Sequence, residues 1–125
     1  MNLPLMSDNI TRDDIDELVR FLQQDPIPRL TNGPKVEEFE KKWSDWLGVK
    51  HSVFVNSGTS ANYMTMQLLY YKYGASEVIV PPLTWVSDVA SIINTGHNPV
   101  FVDINLSNLS FDIEKLKQAI TPKTK

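Results

Sequence analysis

A chain of 125 residues with 42% hydrophobic content supplies one modest core and has too little material for two. Its net charge of −3 arises from interspersed acids and bases, so no basic face tracks a phosphate backbone and nucleic acid is a poor partner. With no cysteine, a disulfide scaffold and thiolate chemistry are excluded and a reducing compartment is favoured.

The opening residues MNLPLMSDN lack the basic start and long apolar run of a secretion signal. No segment approaches the apolar length that crosses a bilayer, so the expectation is a cytoplasmic protein with no membrane partner. The Asn-x-Ser/Thr matches at Asn9, Asn105 and Asn108 are then chance occurrences. From Thr11 to Gln24, Ile15, Leu18, Val19 and Leu22 recur at helical spacing and predict a helix with one buried face. Thr11 is the expected N-cap, with Asp14 completing a weak capping box.

Pro26, Pro28, Gly33 and Pro34 make the next stretch an extended connection, and residues 1–33 are taken as an N-terminal helix plus connection. Pro34 suits the first turn of a second helix, whose apolar stripe is Val36, Phe39, Trp43, Trp46 and Leu47. Trp43 and Trp46 are assigned to the core. Gly48 closes that helix.

Beyond it the texture becomes short apolar runs alternating with helical stretches. HSVFV (residues 51–55), EVIV (77–80) and PVFVDI (99–104) read as strands. The helices follow to about Tyr73, from Thr84 to Asn94, and over FDIEKLKQAI with Asp112 as cap. This is the pattern of an α/β fold with a parallel sheet buried on both faces. Three β-α units without a closing element leave sheet edges exposed, so residues 34–125 are expected to be part of a larger α/β domain whose chain continues.

The turn between the first strand and its helix reads Ser57-Gly58-Thr59-Ser60. Ligands of parallel sheets bind at this edge, and a helix start offers unpaired N–H groups and a positive dipole end, so phosphate is a natural guest. The same residues also suit a plain turn with an N-cap. Neither the Walker ending nor the dinucleotide G-x-G-x-x-G is present. Trp85, after the next strand, lies at the same edge: either an indole for stacking on a phosphorylated aromatic ligand or an ordinary core aromatic. Asp103 could meet a ligand or cap its loop, and the cap is favoured. His51 and His97 have no metal-ligand spacing, so no metal site is expected, and both read as solvent-facing or satisfied in the core.

Taken in order, LTNGPKVEEFEKKWSDWLGVKHSVFVNSGTSAN, EVIVPPLTWVSDVASI, GHNPVFVDI and AITPKTK resemble the DegT/DnrJ/StrS sugar aminotransferases, from about Leu3 to Lys125. The resemblance implies the N-terminal part of the large domain of a fold-type-I enzyme using pyridoxal 5'-phosphate. It maps the phosphate-binding turn onto Ser57, Gly58, Thr59 and Ser60, with Thr59 and Ser60 in direct contact, and the ring-stacking aromatic onto Trp85. Thr31, Gly33 and Pro34 match a segment near the substrate. It further implies amino transfer from a donor such as glutamate to a keto-sugar nucleotide, in deoxyamino-sugar or surface-polysaccharide biosynthesis, by a homodimer. The family's Schiff-base position, lysine in aminotransferases and histidine in a 3-dehydratase branch, lies beyond residue 125, so no catalytic residue is assigned. A keto-deoxysugar 3-dehydratase and a non-catalytic ligand-binding α/β module are the alternatives.

Overall fold

A computed structural model describes residues 9–125. The first eight residues, where the resemblance and the 1–33 segment begin, lie outside the described residues. The chain divides into two compact units that meet between Phe54 and Val55.

In the first unit, α1 spans Arg12–Leu22. Its predicted cap is present: the Thr11 N–H donates to Asp14 Oδ2 at 2.7 Å, and the Asp14 N–H donates back to Thr11 Oγ1 at 3.3 Å. The Thr11 hydroxyl, donating to the same Oδ2 at 2.7 Å, and after it the Thr11 N–H hold the Asp14 carboxyl below its ordinary pKa. The stripe of Ile15, Leu18, Val19 and Leu22 is not buried as expected. Periodicity fixes which face is apolar, whereas burial requires a covering element, and none does so among the described residues.

α2 spans Pro34–Leu47, with Pro34 in its first turn and Gly48 closing it in the left-handed region at φ 71°. The core assignment of its tryptophans is overturned: Trp43 is 45% and Trp46 74% exposed. The rings shield one another instead, with Phe39 to Trp43 at 6.0 Å and Trp43 to Trp46 at 5.0 Å between centroids. The predicted strand over residues 51–55 also does not form. A strand needs a neighbour for its N–H and C=O groups, and here the Phe54 N–H donates to the Glu40 side chain of α2 at 2.8 Å.

The second unit contains α3 (Gly58–Tyr73), β1 (Glu77–Val80), α4 (Val86–Asn94), β2 (Asn98–Phe101) and α5 (Ile113–Ala119). β1 and β2 pair in parallel, from Glu77 opposite Asn98 to Val80 opposite Phe101. The expected three strands are therefore one β-α-β pair among the described residues. The last strand ends at Phe101 rather than Ile104, because Ile104 instead forms a single antiparallel bridge with Phe111. On the outer side of β1, the Glu77 N–H donates to the Lys123 carbonyl at 3.0 Å and the Lys125 N–H to the Glu77 carbonyl at 3.1 Å.

α4 packs on both strands and against α3, and the buried apolar residues Val80, Ile92 and Val102 lie in this unit. His97, 5% exposed, ties the middle of α3 to the segment that follows it: its Nδ1 accepts from the Ser76 N–H at 3.1 Å and its Nε2 lies 3.0 Å from the Met66 carbonyl. Gly96, at φ 86°, lets the Tyr70 ring come within 3.3 Å of where a Cβ would stand. His97 is thus satisfied in the core, one of its two expected fates.

Candidate functional site

The start of α3 is built from small polar residues. Ser57 is its N-cap, accepting from the Ser60 N–H at 3.1 Å. The Ser60 hydroxyl donates to Asn56 Oδ1 at 2.7 Å, and the Ser57 hydroxyl donates to Ser60 Oγ at 3.1 Å. Ser57 and Ser60 therefore spend their hydroxyls on the turn itself. Thr59 is exposed, and its hydroxyl has no hydrogen-bond partner among the described residues. The N–H groups of Gly58 and Thr59, at the first two helical positions, have no carbonyl within the helix to bond. A Cβ built on Gly58 would meet nothing within 4 Å, so the space above this turn is open.

Charge singles out the same turn. α1, α2, α4 and α5 each carry an acidic residue in their first turn: Asp13 and Asp14, Glu37, Asp88 and Glu114 respectively. α3 carries none. A carboxylate near a helix start offsets the partial positive charge of the dipole. Among the described helices, α3 alone keeps that charge without an acid of its own to offset it.

Trp85 stands at the N-cap of α4 and is 80% exposed, so the core-aromatic alternative is excluded within this chain. Its turn is tied to α3 through Asp88. Asn62 Nδ2 donates to Asp88 Oδ1 at 2.6 Å, and the Thr84 hydroxyl donates to Asp88 Oδ2. Asn62 is the fifth residue of α3 and Asp88 the third of α4. At about 1.5 Å of rise per residue, a bond between those positions sets the two helix starts at nearly the same level. His97 and Tyr70 meet near the other end, with ring centroids 5.7 Å apart, so the helices run side by side in the same direction.

The structure thus brings Ser57, Gly58, Thr59, Ser60 and Trp85 to one end of one unit. Thr31, Gly33 and Pro34 belong to the other unit. There Thr31 Oγ1 accepts from Arg29 Nε at 3.4 Å, and buried Gly33 caps α2, where a Cβ would stand 3.1 Å from the Thr31 carbonyl oxygen. That contact gives the glycine a local structural reason. Asp103 takes the capping role: it accepts from the Ile104 N–H at 2.9 Å and pairs with Lys115 at 3.2 Å, and these two contacts lower its pKa in that order.

Sequence reading missed Asn62 and Asp88. Both lie inside the motifs that carry the site, but a bond across 26 residues leaves no local pattern. The one available signal was an acid at the third position of a helix that already follows Thr84 and Trp85.

Comparison with known proteins bears on the family and the fold. Residues 8–125 match the model of the DegT/DnrJ/EryC1/StrS aminotransferase family. The chain is 40% identical over 98% of its length to the spore coat polysaccharide biosynthesis protein SpsC of Bacillus subtilis, covering 31% of that protein. It is 34% identical, over its whole length, to the GDP-4-keto-6-deoxy-D-mannose 3-dehydratase of Yersinia pseudotuberculosis, covering 32% of it. Among solved structures it superposes on Spr1654 of Streptococcus pneumoniae, described as a candidate sugar aminotransferase and determined in PLP and PMP forms. There the TM-score is 0.80 at 35% identity, over 100% of this chain and 31% of that one. The chain thus spans about a third of the relatives it matches, and its α/β architecture is that of part of the fold-type-I pyridoxal-phosphate enzymes. With the match extending from residue 8 to the last residue, the chain belongs to the DegT/DnrJ/EryC1/StrS aminotransferase family.

Proposed function

We propose that these residues form the cofactor-gripping part of a pyridoxal 5'-phosphate-dependent sugar aminotransferase. One observation carries the reading: the described helix start without an acid of its own opens onto free space at Gly58 and is tied, through Asn62 and Asp88, to a turn bearing an exposed indole. A phosphorylated pyridine needs those two things, donors for a dianion and a flat apolar surface for a ring.

In this reading the Gly58 and Thr59 N–H groups and the Thr59 hydroxyl donate to phosphate oxygens. Ser57 and Ser60 hold the turn in shape, and Ser60 turns its hydroxyl outward only by giving up Asn56. Trp85 covers one face of the ring and keeps water from it. Pyridoxal phosphate, when bound, supplies the electron sink on which amino transfer depends. Thr31, Gly33 and Pro34 are the substrate-side residues of the proposal.

For the whole enzyme we propose amino transfer from a donor such as glutamate to a keto-sugar nucleotide, in the cytoplasm, by a homodimer. Family membership supports this. No helix among the described residues is long and apolar enough to cross a membrane. The identity to a sugar 3-dehydratase over the whole chain supports a second reading, dehydration in place of amino transfer. Lysine or histidine at the Schiff-base position separates the two.

The test is to titrate the full-length protein with pyridoxal phosphate. A new absorbance band near the visible edge supports either enzyme, and incubation with glutamate and a keto-sugar nucleotide then distinguishes amino transfer from dehydration. No band and no binding that phosphate competes for would leave a non-catalytic ligand-binding module.

A further inference from the structure

We propose that Asp88 is a positioning residue that sets Trp85 against the cofactor ring, acting on the ring and not on the phosphate. The proposal rests on the reading of Ser57–Ser60 and Trp85 given above.

The argument begins with what fails to hold the indole. Trp85 is exposed, as are its neighbours Leu83 and Val86, so no apolar packing anchors this turn. Trp85 is the N-cap of α4 but makes no side-chain capping bond. The anchors that remain are polar, and Asp88 supplies them. Its N–H donates to the Trp85 carbonyl at 3.0 Å. One carboxylate oxygen takes the Thr84 hydroxyl, immediately before the indole, and the other takes the Asn62 amide of α3 at 2.6 Å. The carboxylate therefore closes the turn around Trp85 and fastens the closed turn to the helix whose start is the phosphate site. Both bonds have an ionised acceptor, the stronger class of hydrogen bond, and the Asn62 bond is partly shielded from water.

The same carboxylate has an electrostatic consequence. It lies in the first turn of α4 and offsets that helix's dipole, so an anion is steered to the start of α3 and not to the adjacent start of α4.

The chemistry suggests a donor–acceptor swap as the test. Asp88→Asn either places an amide NH₂ against the Asn62 NH₂, or turns its oxygen to Asn62 and makes the Thr84 hydroxyl reverse from donor to acceptor; both orientations lose the charge of the acceptor. Asn62→Asp combined with Asp88→Asn restores a complementary pair. In the full-length protein we expect Asp88→Asn to weaken pyridoxal phosphate binding about threefold, within the roughly fivefold that loss of the indole stack itself would cost. It should also diminish the induced circular dichroism of the bound cofactor, while inorganic phosphate, titrated alone by phosphorus NMR, binds as in the wild type. The double swap should recover most of the affinity and the dichroism. Asp88→Asn added to Trp85→Ala should cost no more than Trp85→Ala alone, since both act through one side chain.

Wild-type affinity and dichroism in both Asp88→Asn and Asp88→Ala, the latter keeping neither bond, would overturn the proposal. An equal loss of inorganic phosphate binding would do so as well, because Asp88 would then act on the anion site or the fold. If Asp88→Asn does not fold, Thr84→Val, which removes one arm and leaves Asn62 bonded, carries the same pair of expectations in smaller measure. A wild-type protein that fails to bind pyridoxal phosphate removes the cofactor reading itself, a result distinct from binding that ignores Asp88.

Discussion

Both ring nitrogens of His97 are committed inside the second unit, one accepting from Ser76 and the other facing Met66, and this pairing ties β2 to α3. His97→Ala leaves the buried Ser76 N–H unpaired, which should lower stability by about 2 kcal/mol, read as a lower urea midpoint. A change near zero would mean that water reaches the vacated site. Trp85 poses the opposite case, a large side chain with nothing on it. Trp85→Ala should cost little folding stability but weaken pyridoxal phosphate binding by about 1 kcal/mol, the scale of an aromatic stack. Unchanged affinity in equilibrium dialysis would separate the indole from the cofactor.

At the scale of elements, the helix ends were the most legible part of the sequence. Thr11 with Asp14, Gly48 and Asp112 cap the helices they were expected to cap, and Pro34 opens α2, because helix ends are settled within four or five residues. Ser57→Ala should destabilise the second unit by about 1 kcal/mol in a denaturant titration, since the Ser60 N–H loses its acceptor. Within α2, Lys42 first and then Lys35 hold the Glu38 carboxyl at about 2, against an ordinary 4.5. The folded state thus favours the ionised form, and the resulting stabilisation is complete above the ordinary value and lost as pH falls through about 2. Carbon NMR of the Glu38 carboxyl should find this depressed titration, and Lys42→Ala should raise it. Because the group is exposed, the effect on stability is small and fades in high salt. Strands were less legible than helices. HSVFV has the composition of a strand, yet pairing is a property of two segments, and the Phe54 N–H found a side chain instead.

For the whole molecule, apolar surface is the dominant fact. Val80, Ile92 and Val102 are the buried hydrophobic residues of the described chain, while the stripe of α1 and the rings of α2 remain open to solvent. A core this small offsets little of the entropy lost on folding. The 125-residue chain by itself should therefore bind a hydrophobic dye such as ANS, show weak affinity for pyridoxal phosphate, and catalyse no amino transfer. Robust turnover by the isolated chain would contradict this account.

What the sequence determined by itself was local: the caps, the apolar faces, the alternation of helix and strand, and a turn of Ser, Gly and Thr suited to an anion. Four ordered motifs added the family, since a long ordered match carries more information than any single turn. Only the tertiary structure decided which faces are covered, that Trp43 and Trp46 lie outside the core, and that Asp88 joins the Trp85 turn to α3. The physical reason is range. Caps and periodicity depend on neighbours a few residues apart, whereas burial and the Asn62–Asp88 bond depend on groups far apart in the chain that meet only when it folds.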